Sequence, residues 1–256
     1  MQILLRKALL VSAFFIVCQR VLAGCDALPA ERQVRVVQVI DGDTVRLADG
    51  SLVRLIGINT PEIGRDGRAD EVGAQQAKAR LQRWIEGREL TFSAGLEKRD
   101  HYGRLLGHLT LAGQSVAEQL IAEGLGFAVA IAPDLRQADC LFAAENRARQ
   151  ARLGLWQQSP VVTAGDVAAA GFALVCGRVT RVDRTRRAYF VELDDHLALK
   201  IDQSGLTAAQ QKWLRTLHGR RLEARGWVVD RGESPRGHPR WLIKLSDLRG
   251  LQFCQY

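Results

Sequence analysis

Asp43, Arg54, Asn59, Thr60 and Glu62 fall within one short stretch, VIDGDTVRLADGSLVRLIGINTPE, running from Val39 to Glu62. The carboxylate of Asp43, the side-chain oxygen of Asn59 and the carbonyl of Thr60 are hard oxygen donors. Such donors suit calcium, and not zinc, which takes nitrogen and sulfur. No zinc-type cluster competes: His101, His108, His196, His218 and His238 are scattered along the chain. Arg54 supplies a fixed positive charge able to hold an anion, and Glu62 is a carboxylate free to act as a base.

Something must bring these groups together, and the stretch reads as a hairpin. Asp49-Gly50 is a two-residue turn signal, which sets Leu47 opposite Leu52, Val45 opposite Arg54 and Asp43 opposite Ile56. Asp43 and Arg54 are then diagonal neighbours on one face, roughly 7–8 Å apart at Cα. Pro61 forces Thr60 into an extended conformation and ends the pairing. A plainer reading stands beside this one: Asp41-Gly42-Asp43 as a tight turn, Arg54 as its ion-pair partner and Pro61-Glu62 as the start of a loop.

The surrounding chain supplies a scaffold of strands first and helices afterwards. VRVVQVI, TVRLA, SLVRLIGI, RELTFS and LLGHLTL have strand character, whereas VGAQQAKARLQRWIEG, SVAEQLIAEG and ADCLFAAENRARQARLG have helical spacing. That order predicts an α+β domain built on a small barrel, residues 25–156. Gln157 to Gly171, rich in small residues with Pro and Gly, reads as a linker. Residues 172–256 repeat the pattern in miniature, several strands with one helix before the last pair, and predict an OB-like second barrel.

With these elements placed, three motifs point to a family. DGDTVRL, then RLIGINTPE, then DHYGR at Asp100–Arg104, in this order, resemble the staphylococcal nuclease family, with similarity from about Val34 to Trp156. The resemblance implies a five-stranded OB-type barrel with three helices and calcium-dependent hydrolysis of DNA and RNA phosphodiesters, leaving 3′-phosphate ends. It implies Asp43, Asn59 and the Thr60 carbonyl as calcium ligands, and Glu62 as general base. Arg54 and Arg104 would hold the phosphate, with Tyr102 beside it. Two forked guanidiniums and a divalent cation suit the negative charge that accumulates on phosphoryl oxygens during an in-line displacement.

Three departures accompany the likeness. Asn59 replaces the family's second aspartate, which keeps an oxygen but removes a charge. GFAVAIAP, Gly126 to Pro133, has alanines where the family places base-contacting tyrosines. The first domain is also slightly acidic. Residues 1–24 carry a net charge of +3, residues 25–156 carry −1 and residues 157–256 carry +6, which together give the overall +8. The basic second domain, with Tyr189, Trp227 and Trp241 as candidate exposed aromatics, is therefore expected to add backbone attraction and stacking. A catalytically weak nucleic-acid-binding protein on the same scaffold is the alternative to a nuclease. An envelope interaction protein is a third reading, disfavoured by the joint presence of Asp43, Arg54, Glu62 and Arg104.

The N-terminus predicts export. MQILLRK is basic, ALLVSAFFIVC is a short apolar run and QRVLAGC follows, the pattern of a secretory signal over residues 1–24. Leu22-Ala23-Gly24-Cys25 also resembles a lipobox, with a lipid anchor at Cys25. The polar Gln19-Arg20 favours ordinary cleavage and a periplasmic or secreted protein. So does the even set of Cys25, Cys140, Cys176 and Cys254 that such cleavage leaves. Cys25 could pair with Cys140 and Cys176 with Cys254, although four cysteines allow three connectivities.

Overall fold

A computed structural model describes residues 24–26, 28–232 and 237–255, so the expected signal segment lies outside the described residues except for Gly24. Strands β1 (Arg32–Val39), β2 (Thr44–Leu47), β3 (Leu52–Leu55), β4 (Glu89–Arg99) and β5 (Leu105–Leu111) form the first barrel. Their order is β3-β2-β1-β4-β5, and β3 closes on β5 in parallel. β1 places Val34, Val36 and Val39 inside although their spacing breaks strict alternation. The register slips between Val36 and Gln38, and this bulge leaves Val37 45% exposed.

Three helices pack on this barrel: α1 (Ala74–Ile85), α2 (Val116–Ala122) and α3 (Ala138–Gln150). α1 buries Ala74, Ala77, Leu81 and Ile85, one stripe at helical spacing. Ser115 caps α2 by accepting from the Glu118 amide.

The second barrel repeats this topology. Strands β6 (Gly171–Arg184), β7 (Ala188–Leu193), β8 (Leu197–Asp202), β9 (Arg221–Asp230) and β10 (Trp241–Leu245) run in the order β9-β10-β8-β7-β6, and β6 pairs with β9 to close it. Its third and fifth strands, β8 and β10, are parallel, like β3 and β5. One helix, α4 (Ala208–Leu214), lies between β8 and β9 and opens on a Thr207–Gln210 capping box. The fold is thus α+β, two OB-type five-stranded barrels with, among the described residues, four α-helices.

Three expectations are corrected here. The segment read as a linker is built into the second barrel: Val161–Thr163 pairs in parallel with β6, and Ala164 and Val167 enter its core. Of its small residues Ala164 is fully buried, whereas Gly165 and Ala168 to Ala170 stay exposed, so it is the strand pairing and the two core residues that tie the segment down. Tyr189 and Trp241, candidate exposed aromatics, are 0% and 5% exposed, because their strand positions face the barrel interior. Only Trp227 of the three, at 41%, reaches the surface.

The barrels meet through polar groups as well as rings. Phe127 packs edge-on to Trp156 and stacked on Phe172 of β6. Beside them Arg149 of α3 forms a two-pronged ion pair with Glu223 of β9, both hydrogen bonds 2.8 Å. Disulfides join Cys25 to Cys140 and Cys176 to Cys254.

Candidate active site

The hairpin that carries Arg54 has a register one step from the expected one. Thr44 faces Arg54, Val45 faces Val53 and Arg46 faces Leu52. The connection is Ala48-Asp49-Gly50, with only Gly50 at positive φ (83°). A two-residue type I′ turn needs positive φ at both central positions, whereas a three-residue loop needs only the final glycine. Arg54 is therefore opposite Thr44, and Asp43 lies at the strand entrance across from Leu55, whose amide bonds the Asp43 carbonyl at 2.8 Å.

The Asp43–Arg54 approach survives this shift. Arg54 Nη2 is 3.0 Å from Asp43 Oδ2, and it also donates to Asn59 Oδ1 at 3.1 Å. Arg54 Nη1 donates to the Leu55 and Ile58 carbonyls at 2.6 and 2.8 Å. The guanidinium fork thus spans the chain reversal between β3 and Ile58–Asn59, a short strand paired with Phe127–Ala128.

Asp43 is held from the other side by Thr60, whose amide and hydroxyl both donate to Oδ2, at 2.9 and 3.2 Å. Gly42 makes this possible. A Cβ there would come within 2.6 Å of the Thr60 hydroxyl and 2.8 Å of Ala77 Cβ, so any larger residue would push the turn off Thr60 and α1. Asp43, Asn59 and Thr60 are all at most 3% exposed.

Burial is the largest influence on Asp43 and pushes its carboxyl up to about 6; Arg54 opposes the rise and the neighbouring Asp41 adds to it. Asp41 is only 6% exposed and lines the same groove. In sequence Asp41 reads as part of a tight turn, although its spacing from Asp43 across one glycine is a signal of a second acid at the site.

Glu62 stands at the groove mouth. Its backbone is fixed by reciprocal bonds with Glu71, 2.9 Å from the Glu62 amide to Glu71 Oε2 and 3.0 Å from the Glu71 amide to the Glu62 carbonyl. The residue is exposed overall, and its carboxylate is partly buried where it lines the groove. That desolvation, with the Asp41 charge, lifts the carboxyl above its ordinary range, opposed by Arg54 and Arg104. Its carboxylate makes no ion pair with any other described residue. A raised, uncommitted carboxylate is suited to taking a proton.

DHYGR forms a tight turn around its aspartate. Asp100 Oδ1 accepts from the Tyr102 and Arg104 amides, and Oδ2 accepts from Arg104 Nε at 2.7 Å. Burial alone would raise the Asp100 carboxyl, but the hydrogen bonds from Arg104 hold it below the usual range. Arg104 Nη1 lies 3.4 Å from the Thr44 hydroxyl, the position facing Arg54. Tyr102, 74% exposed, sets its ring 5.4 Å from the Arg104 guanidinium carbon.

Asp41, Arg54, Asn59, Glu62, Tyr102 and Arg104 line one groove of about 1180 Å³. Asp43 and Thr60 do not line it; they are buried beneath, joined to the lining through Arg54 and Asn59. Among the described residues no group of three or more His, Cys, Asp or Glu forms a conventional metal cluster.

The fold and groove thus define an OB-type barrel that carries on one groove two arginines and a carboxylate without an ion pair among the described residues. The family comparison points the same way: residues 52–158, from β3 onward, match the model described as "Staphylococcal nuclease homologue". The chain is 30% identical over 132 residues to "Endonuclease YncB" of Bacillus subtilis, covering 49% of this chain and 62% of that protein. It is also 30% identical over 132 residues to "SPbeta prophage-derived endonuclease YokF" of the same organism, covering 49% and 44%. An "Uncharacterized endonuclease" of Escherichia coli is 29% identical over 139 residues, covering 53% and 84%. The match thus spans less than two thirds of the first two relatives' length.

Proposed function

We propose that this protein is an exported, calcium-dependent nuclease that hydrolyses DNA and RNA phosphodiesters and leaves 3′-phosphate ends. The observation that carries the reading is the convergence of Arg54, Arg104 and Glu62 on one groove above the Asp43 carboxylate. The product polarity and the metal are inferred from the likeness to the staphylococcal nuclease family.

The floor suits a hard cation. Asp43 Oδ2 and Asn59 Oδ1 already converge on one positively charged nitrogen, Arg54 Nη2, and the Thr60 carbonyl is 3.4 Å from Asn59 Nδ2. With one carboxylate and two neutral oxygens this donor set favours weak, water-rich calcium binding, tolerable where calcium is at millimolar level. Calcium bound there would neutralise phosphoryl oxygens. Arg54 shares those oxygens, so its guanidinium would turn from the floor toward the substrate phosphate.

The residues of the chain then divide the work. Arg104, braced by Asp100, presents its outer nitrogen to the phosphate, while Tyr102 flanks it. Glu62 accepts a proton from the attacking water, its raised pKa bringing it nearer to the working pH. Charge growing on the equatorial oxygens is met by the two forked guanidiniums.

Export is supported by the N-terminal pattern and by two disulfides, which persist in oxidising compartments. The Cys25–Cys140 bond occupies the sulfur that a lipid anchor would need, which favours ordinary cleavage.

The test is digestion of plasmid and RNA by the mature protein with calcium or chelator, beside Glu62→Ala. Calcium-dependent cutting lost in the variant supports the reading. Binding without cutting would instead support a weak or inactive nucleic-acid-binding protein, which the full commitment of Arg54 to four acceptors would then explain.

A further inference from the structure

The groove is not made by the first barrel alone. Trp227 of β9 lines it together with Val129, Ile131 and Pro133. Strand periodicity explains how it gets there. On β9, Leu222, Ala224 and Val228 face the core of the second barrel, while Glu223, Arg225 and Trp227 share the opposite face. Glu223 and Arg225 are buried against α3, at 1% and 5% exposure. Two residues further on, the same face leaves the interface, and Trp227 emerges 41% exposed at the groove wall.

The ring is braced from behind. Trp227 and Phe172 are register partners, and their rings meet edge-on with centroids 5.1 Å apart. Phe172 in turn stacks on Phe127 of the first domain at 5.7 Å. The apolar wall is pinned to the second barrel by Ser246, whose hydroxyl accepts from the Ala132 amide at 3.0 Å and lies 3.4 Å from the Ala130 carbonyl. An indole held at the edge of a groove of about 1180 Å³ offers more than a phosphate needs: a flat, apolar, anchored surface beside a charged one.

We propose that Trp227 is a base-stacking platform, supplied by the second barrel, for a nucleobase neighbouring the phosphate held by Arg54 and Arg104. The proposal rests on the reading of the groove as a phosphodiester site. A base must leave its own stack to lie on the ring, so the platform favours single-stranded DNA or RNA over duplex.

The experiment compares wild type, Trp227→Ala and Trp227→Phe on two substrates: a fluorescein-labelled single-stranded oligonucleotide, and a small abasic deoxyribose phosphodiester that has no aromatic ring to stack on the indole. Loss of one base–aromatic stack corresponds to roughly a five- to hundredfold change. Trp227→Ala is expected to raise the oligonucleotide KM by about that factor with kcat little changed. Activity on the small diester should be retained, and Trp227→Phe should recover most of the loss.

Equal oligonucleotide KM in wild type and both variants would overturn the platform. So would a parallel loss on both substrates in the two variants, which would mark Trp227 as merely structural. If wild type cuts neither substrate, the nuclease reading fails on its own. Fluorescence anisotropy of oligonucleotide binding then decides the platform by the same comparison: weaker binding in Trp227→Ala supports it, and equal binding overturns it.

Discussion

Arg225 of the second barrel places its Nη1 2.5 and 2.6 Å from the two carboxylate oxygens of Glu145 in α3, with both side chains at most 5% exposed. The pair also grips the backbone between them. Glu145 Oε2 accepts from the Ala128 amide at 2.5 Å, and Arg225 Nη1 donates to the Ala128 carbonyl at 3.1 Å. Ala128 pairs with Ile58, next to Asn59 on the groove floor. A buried ionic clamp between the barrels therefore backs the strand that carries a site residue.

Removing one partner of such a pair strands the other charge in a dry environment. Arg225→Ala is expected to destabilise the protein by about 3–5 kcal/mol, read from urea denaturation. In a cycle with Glu145→Ala, the double variant should lose clearly less than the sum of the singles, since its second truncation removes a charge already orphaned. Simple additivity would mean that the clamp is not a coupled unit.

Arg54→Lys tests the fork. One ammonium cannot reach the Leu55 and Ile58 carbonyls, Asn59 and Asp43 together, nor grip a phosphate in two places. The expected outcome is a fall in kcat on the order of 10²–10³, measured on plasmid DNA at saturating calcium. Activity within a few-fold of wild type would remove Arg54 from the phosphate site.

Asn59→Asp should tighten calcium binding by restoring a second carboxylate to the floor. Isothermal titration with calcium alone, without substrate, reads this directly. Affinity that is unchanged or weakened, in Asn59→Asp and equally in Asn59→Asp with Arg54→Ala, which removes the guanidinium now 3.1 Å from the Asn59 oxygen, would show that the cation does not sit at this position.

His108 gives a pH dependence away from the groove. Burial, aided by the Arg136 charge, lowers its imidazole to about 4, and its buried Nδ1 has no hydrogen-bond partner among the described residues. The unfolded chain takes up this proton near the ordinary value of 6.5, whereas the folded chain resists until about 4. Its contribution is thus present above pH 6.5 and is lost as pH falls through 4, about 3 kcal/mol in all. Urea denaturation of wild type and His108→Leu from pH 7 to 4 should show a flatter acid limb for the variant. Parallel curves would exclude His108 as the cause.

The chemistry of the groove was largely legible along the chain because it is local. DGDT, NTPE and DHYGR carry their residues in short turns, so their types and spacing announced the acids, the arginines and the oxygen donors. Hydrophobic periodicity likewise gave the strands and helices of both barrels, since period-2 and period-3.6 patterns are properties of a segment by itself.

Tertiary structure decided whatever depended on which surfaces meet. A two-residue and a three-residue loop share the Asp49-Gly50 signal, and only the closed barrel selected the pairing of Arg54 with Thr44. Tyr189, Trp227 and Trp241 are alike as residues on strands. Facing direction and the neighbouring barrel buried two and left Trp227 at the groove. The buried Arg149, Glu223, Arg225 and Glu145 read in sequence as ordinary surface charges, because a charge reveals its burial only when its partner arrives from a distant segment. Local physics fixes what each residue can do, and long-range packing fixes which residues it can do it with.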